Sequence, residues 1–265
     1  MTVLITNDDG YKSAGINVLY RAAKKVFGDD VVVVTPDSLQ SSTGMSFTFH
    51  KPLRIERLEY KGMPCLSVSG TPADCVFISL NHLFKNKIEM VLSGINQGMN
   101  VGLDTVYSSG TISAAMFAAI YKIPSIAFSK ARDNMSAVST VSDSDDTFDG
   151  DSEEVYSKTV EFLKKIKKSG FPTGVELLNI NFPKQVKETT KIKVVKTDRG
   201  IFEDLVDVKT DPHGREYYWL YGTLKKNLSE DSDVRSLMDG YITVTPIELS
   251  AADESKISSV RSMFI

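Results

Sequence analysis

The first thirty-six residues constrain the fold more than any other stretch. Val3-Leu4-Ile5-Thr6 is an uninterrupted apolar run that ends abruptly in Asn7-Asp8-Asp9-Gly10, which reads as a buried strand feeding a turn. From Gly15 the period changes, with Ile16, Leu19, Ala22, Ala23 and Val26 recurring at helical spacing. Val31-Val32-Val33-Val34 is a second continuous run, closed by Thr35-Pro36-Asp37. Strand, helix and strand in so short a span make a βαβ unit. Continuous rather than alternating apolar runs suit a parallel sheet covered on both faces. The predicted fold class is therefore α/β.

The rest of the chain extends and then varies this theme. Strands are predicted near 46–57, 65–69, 89–92, 124–129 and 175–181, and helices near 72–84, 111–121 and 153–168. Residues 93–110 read as a long Gly/Asn-rich loop. Residues 131–152 are polar and acidic, so composition predicts a mobile solvated loop in which nothing fixes the carboxylates in space. After Pro183 the texture becomes alternating, at 191–196, 216–221 and 241–248. These segments read as antiparallel strands of an appendage, which divides the chain into a core at 1–185 and a β-rich extension at 186–265.

Bulk properties exclude several classes. With 42% hydrophobic and 25% charged residues the chain can build a packed core, and global disorder is excluded. The net charge of -3 carries no basic stripe, so no duplex nucleic-acid partner is expected. The longest apolar runs are strand-length, far below the roughly 20 residues of a membrane span. The first residues lack a cationic leader, and the two cysteines, Cys65 and Cys75, sit among apolar neighbours without metal-ligand spacing. They read as buried thiols in a reducing compartment, and the expected location is cytoplasmic.

Ligands of open α/β sheets bind beyond the carboxyl ends of the parallel strands. That rule singles out four polar loops: 7–12, 37–44, 69–73 and 93–111. In the first, Asp8 and Asp9 stand side by side after a buried strand. Adjacent like charges raise the cost of ionisation unless a cation lies between them, and a hard divalent ion with oxygen ligands removes that cost. The plainer reading is an Asx turn in which Asp9-Gly10 merely turns the chain. A dinucleotide site is disfavoured, because no Gly-x-Gly-x-x-Gly follows the strand and bare acids repel a pyrophosphate. In the third loop, Thr71 caps a helix and Asp74 complements its dipole, so structure alone explains both. The fourth loop ends in Ser108-Ser109-Gly110-Thr111 entering a helix, a ready anion site of backbone N–H groups and hydroxyls.

Taken together, Leu4-Ile5-Thr6-Asn7-Asp8-Asp9-Gly10, Pro36-Asp37, Ser69-Gly70-Thr71-Pro72-Ala73-Asp74, Ser93-Gly94-Ile95-Asn96-Gln97-Gly98-Met99-Asn100-Val101-Gly102, Ser109-Gly110-Thr111 and a weaker echo at 240–246 resemble the SurE family, the stationary-phase survival proteins. The resemblance implies a Rossmann-like, mostly parallel sheet flanked by helices, with a C-terminal segment exchanged between subunits of a homodimer or homotetramer. It also implies phosphatase action on nucleoside 5′-monophosphates, extending to 3′-nucleotides and polyphosphate, with one magnesium or manganese ion per subunit. The family's metal ligands fall on Asp8, Asp9, Ser41 and Asn96, with Ser42 as the alternative to Ser41. Asp8 and Asp9 carry the catalytic role, while Asn7, Ser109, Gly110 and Thr111 contact the phosphate. Two departures stand out: Gln40 occupies a position where many relatives carry a basic residue, and the segment 104–110 is one residue longer than the common pattern. Ser109 is therefore preferred to Ser108.

Rival readings are weaker. An aspartyl-phosphate phosphatase needs Asp-x-Asp, and here Asn7 replaces the first acid. A receiver-like domain is much shorter and needs an acceptor Asp where this chain has Ser93-Gly94. A non-catalytic oligomeric nucleotide or metal sensor uses the same residues and is separated only by assay. The leaving-group acid is unassigned; His213 is a candidate on scarcity alone.

Overall fold

A computed structural model describes residues 2–132, 151–249 and 254–264. Of the predicted acidic loop, residues 133–150 lie outside the described residues. In chain order the elements are β1 (Thr2–Thr6), α1 (Ala14–Phe27), β2 (Val31–Pro36), β3 (Ile55–Tyr60), β4 (Met63–Val68), α2 (Pro72–Ile78) with a π-helical turn (Ser79–Leu83), β5 (Ile88–Gln97), α3 (Leu103–Ser108) and α4 (Gly110–Ile120). They continue with β6 (Ser125–Lys130), α5 (Ser152–Ser169), β7 (Leu177–Phe182), β8 (Ile192–Val194), β9 (Phe202–Thr210), β10 (Glu216–Leu224), α6 (Asp233–Met238), β11 (Ile242–Ile247) and α7 (Glu254–Phe264).

Nine strands form one sheet in the order β3-β4-β2-β1-β5-β6-β7-β11-β8. From β4 to β7 every pairing is parallel, and the antiparallel pairs, β3 with β4 and β11 with β7, lie toward the edges. The expected α/β architecture is present, with helices on both faces. The chain leaves β1 toward β2 and later crosses to β5 on its other side. The strand order therefore reverses between β1 and β5, and a crevice opens there at the carboxyl ends.

The core explains why these segments became these elements. Ser13 caps α1 by accepting from the Ile16 N–H at 3.2 Å, and the predicted stripe of Ile16, Leu19, Ala22 and Ala23 is wholly buried. On that face Ile5, Val33, Leu92, Ile126 and Phe128 meet α1 and α5; on the other, Leu4, Val34 and Val91 meet α2 and α4. Burying each Leu or Ile side chain contributes roughly 1.5–3 kcal/mol.

Several sequence expectations are revised. Residues 46–54 are irregular, and only Ile55 onward is strand. Strand β5 does not stop at Leu92 but runs to Gln97, because Asn96 and Gln97 pair with Ser129 and Lys130 after a register shift. Gly94 makes this possible: a Cβ there would lie 2.2 Å from the Phe128 carbonyl oxygen. The segments at 191–196 and 241–248 do not form an antiparallel appendage; β8 and β11 extend the main sheet. Only β9 and β10 stand apart, paired with each other.

Candidate active site

The acid pair sits on the turn after β1, at the reversal of strand order. Asn7 builds that turn. Its side chain donates to the Gly10 carbonyl at 2.9 Å and to Ser13 Oγ at 3.0 Å, and accepts from the Gly10 N–H at 3.2 Å. Asn7, expected at the phosphate, is buried, and these bonds tie it to the loop and to the cap of α1. The turn aims the next two side chains into the crevice.

Asp8 is nearly inaccessible, and Thr111 Oγ1 donates to its Oδ1. Burial, together with the like charge of Asp9, pushes the Asp8 carboxyl up to about 7 against the opposing Thr111 hydrogen bond. Burial also raises Asp9, while a hydrogen bond from the Gln97 backbone and the positive charge of Arg132 pull it down. Among the described residues Asp9 Oδ2 is buried without a hydrogen-bond partner. A buried oxygen left unsatisfied costs about 1–3 kcal/mol, so a donor or cation is called for at that atom.

Loops two and four close over the pair. The Gln40 N–H donates to the Asp8 carbonyl at 2.8 Å, and the Gly44 N–H donates to the Ser108 carbonyl at 2.9 Å. Ser41 follows Gln40 and is exposed, as is Ser42; among the described residues no hydrogen bond joins either to the acids. Gly110 begins α4 directly against Asp8. A Cβ on it would lie 2.9 Å from Asp8 Cβ and 3.1 Å from both Asp8 Oδ2 and the Gln40 carbonyl oxygen. Only a glycine lets the helix start here. Ser109 caps α4 by accepting from Ile112 at 3.2 Å, whereas the Ser108 hydroxyl is spent on the Asp104 carbonyl at 2.8 Å. Asn96, one residue before the end of β5, gives its amide N–H to the Gly98 carbonyl at 2.9 Å, leaving Oδ1 as its remaining acceptor.

Loop three is different. Thr71 and Asp74 form a capping box on α2, with hydrogen bonds of 3.1 and 2.9 Å, and hold the irregular segment through Ser46 and Thr48. It serves the scaffold, as the plainer reading of that loop has it. His213 is exposed in the turn between β9 and β10, where its backbone N–H donates to Asp211 at 2.8 Å. Cys65 and Cys75 are buried free thiols, pushed up in pKa by burial.

The sequence gives no hint of how loop four is supported. Asn100 is locked into a buried amide network: its N–H donates to Asn181 Oδ1 at 2.8 Å, its side chain donates to Ser129 Oγ at 2.9 Å, and Asn179 donates to its carbonyl at 2.8 Å. Two residues on, the Gly102 N–H donates to buried Asp233 at 2.9 Å, and Asp104 accepts from Ile201 at 2.9 Å. The loop is thus bolted to β7 on one side and to the C-terminal segments on the other.

A donor set of carboxylates, an amide and hydroxyls fits a hard cation. Among the described residues no cluster of three or more His, Cys, Asp or Glu side chains could hold a metal, so any ion here relies on the neutral oxygens as well. Among the described residues no helix is long and apolar enough to cross a membrane.

Comparison with known proteins agrees with this geometry. The model of the family described as survival protein SurE matches residues 3–204. The chain is 35% identical to the 5′-nucleotidase SurE of Methanococcoides burtonii, over 98% of each chain. It is 38% identical to the 5′-nucleotidase SurE of Pyrobaculum arsenaticum, over 94% of this chain and 90% of that one. The crystal structure of the SurE protein from Aquifex aeolicus superposes with a TM-score of 0.80 at 35% identity, covering 99% of both chains. The strand reversal, the buried acid pair and the glycine-started helix are therefore those of a chain that belongs to the SurE family.

Proposed function

We propose that the chain is a divalent-metal-dependent phosphatase that hydrolyses nucleoside monophosphates, chiefly 5′-nucleotides, to nucleoside and phosphate. On this reading its range extends to 3′-nucleotides and to polyphosphate. The observation that carries it is the buried Asp8-Asp9 pair, with one unpartnered carboxylate oxygen, under the N-terminus of α4. The names of the two relatives give the substrate class.

Asp8, Asp9, Ser41 and Asn96 would hold one magnesium or manganese ion. When bound, that ion supplies Lewis acidity and a lowered pKa for water. The chain's own contribution is position and charge. Thr111 fixes one oxygen of Asp8, so that carboxylate meets the reaction already oriented. Ser109, Gly110 and Thr111 receive the phosphate at a helix start whose N–H groups favour anions. Gly110 lets the phosphate approach the acids without an intervening side chain. Asp8 or Asp9 would also receive the proton of the attacking water.

The same reading makes the protein a cytoplasmic homodimer or homotetramer without a membrane or duplex nucleic-acid partner. Within the 186–265 extension, the parts exchanged between subunits would be the β9–β10 pair and α7, since β8 and β11 are integral to the main sheet. Phosphate release from 5′-AMP, other nucleotides and p-nitrophenyl phosphate, with and without magnesium or manganese, tests the activity. Asp8→Asn is expected to lower turnover at least ~100-fold at an unchanged circular dichroism spectrum. Near-wild-type turnover of that variant refutes the site. Nucleotide binding without turnover by the unsubstituted protein makes it a sensor.

A further inference from the structure

A divalent ion offsets the acid pair, but a phosphate monoester brings charge of its own into the same crevice. Full positive charges near the acids are therefore informative. Lys130, at the end of β6, is buried and committed: its ammonium lies 3.2 Å from Asp151 and donates to the Lys184 carbonyl at 2.9 Å. Lys12 is exposed and lies over the Tyr11 ring. Arg132 is placed differently. Strand β6 is fixed beside β5 by the Gln97–Lys130 pairing, and the Gly98 N–H donates to the Lys130 carbonyl at 2.9 Å. The Ala131 N–H then donates to the Phe182 carbonyl at 2.9 Å, and Ala131 packs beside Val101 and Ile201. This anchors the backbone, and Arg132 Nη2 reaches back to Gln97 Oε1 at 3.0 Å.

Gln97, next to Asn96 at the end of β5, thus holds the guanidinium through its side chain, and Arg132's positive charge is felt at Asp9. Of the five N–H donors on a guanidinium, a planar fork suited to phosphate oxygens, the Gln97 contact uses one. We infer that Arg132 is a substrate-contacting residue whose guanidinium, steadied by Gln97, grips the phosphate of the ester beside the N-terminus of α4. The inference rests on the phosphatase reading and adds the cation that reading lacks.

The test compares the unsubstituted protein with Arg132→Ala, Arg132→Lys and Gln97→Ala, using 5′-AMP as substrate and inorganic phosphate as competitive inhibitor. Arg132→Ala is expected to lose about 10- to 100-fold in kcat/KM, the scale of a charge-assisted hydrogen bond. Its inhibition constant for phosphate should rise about tenfold, and its thermal midpoint should stay within about 2 °C. Arg132→Lys should fall between, since a point charge keeps attraction but loses the fork. Added guanidinium at millimolar concentration should restore part of the Arg132→Ala activity. Gln97→Ala should show a smaller loss of the same kind. A phosphate inhibition constant unchanged in Arg132→Ala overturns the inference while leaving the phosphatase reading intact. An unsubstituted protein inert on every ester overturns both.

Discussion

The sheet core and the β9–β10 pair are built from equally regular secondary structure, yet they treat apolar side chains in opposite ways. In the core, Leu4, Leu92, Ile126, Phe128 and Phe182 have essentially no exposure. On β9 and β10, Val206, Val208, Tyr218, Trp219 and Leu220 face outward, with Trp219 60% and Leu220 79% exposed. Helix α7 buries no residue and exposes Ile257, Val260, Met263 and Phe264. Backbone hydrogen bonding makes an element; burial of its apolar face decides where it rests. A two-stranded ribbon alone is marginal in water, and an exposed apolar surface of this kind marks an interaction site. The core is complete within one chain, whereas among the described residues the ribbon and α7 leave most of their apolar side chains uncovered.

Four comparisons can break or sharpen that contrast. The largest effect concerns the charge the core covers. Because Asp8 has its pKa raised to about 7 from the usual 3.8, the folded, chelated protein binds a proton that the unfolded chain releases. Stability is then fullest near pH 4 and declines as pH rises toward 7, by on the order of 4 kcal/mol. Urea titrations in chelator at pH 5 and pH 7.5 check the sign, and Asp8→Asn should flatten the dependence. A stability that climbs over this range contradicts the burial of the pair. Next, Leu92→Ala should cost about 2–5 kcal/mol in denaturant. By contrast, Leu220→Ala in dilute solution should stay within about 0.5 kcal/mol. Equal costs would mean that the ribbon is packed inside a single chain. The smallest effect is on assembly: Trp219→Asp should weaken self-association by about tenfold or more in sedimentation velocity. An unaltered distribution of species would detach the exposed ribbon from any role in oligomerisation.

Much of the core is legible in the sequence because local pattern and tertiary outcome agree there. Strands β1 and β2 are continuous apolar runs, and α1 shows its buried stripe at 3.6-residue spacing. The acid pair stands out by position alone. Where local composition and tertiary pairing conflict, the pattern misleads. Ser93-Gly94-Ile95-Asn96-Gln97 has the residues of a turn, but β6 recruits it into the sheet and Gly94 tolerates the contact. The role of Asn7 in closing the turn that presents the two acids is set by hydrogen bonds that no local pattern announces. Arg132 falls in a stretch whose acidic composition reads as solvated loop, and no local pattern ties it to Gln97. Strand β9 alternates apolar residues with charges, but only Phe202 at its start packs on a core cluster among the described residues, while Val206 and Val208 stay exposed.

The hydrogen bond from Gly102 to Asp233 spans 131 positions of sequence. Asp233 also accepts from Asp198 at 3.0 Å, and Asp104 reaches forward to Ile201. A nascent chain can fold β1 to β7 as it emerges from the ribosome, yet the stretch running from Gly102 to the start of α4 is not latched until residue 233 is also free. Closing so long a loop comes late. Unfinished or prematurely ended copies would thus carry the acids with residues 102–104 unlatched, however well their sheet had formed.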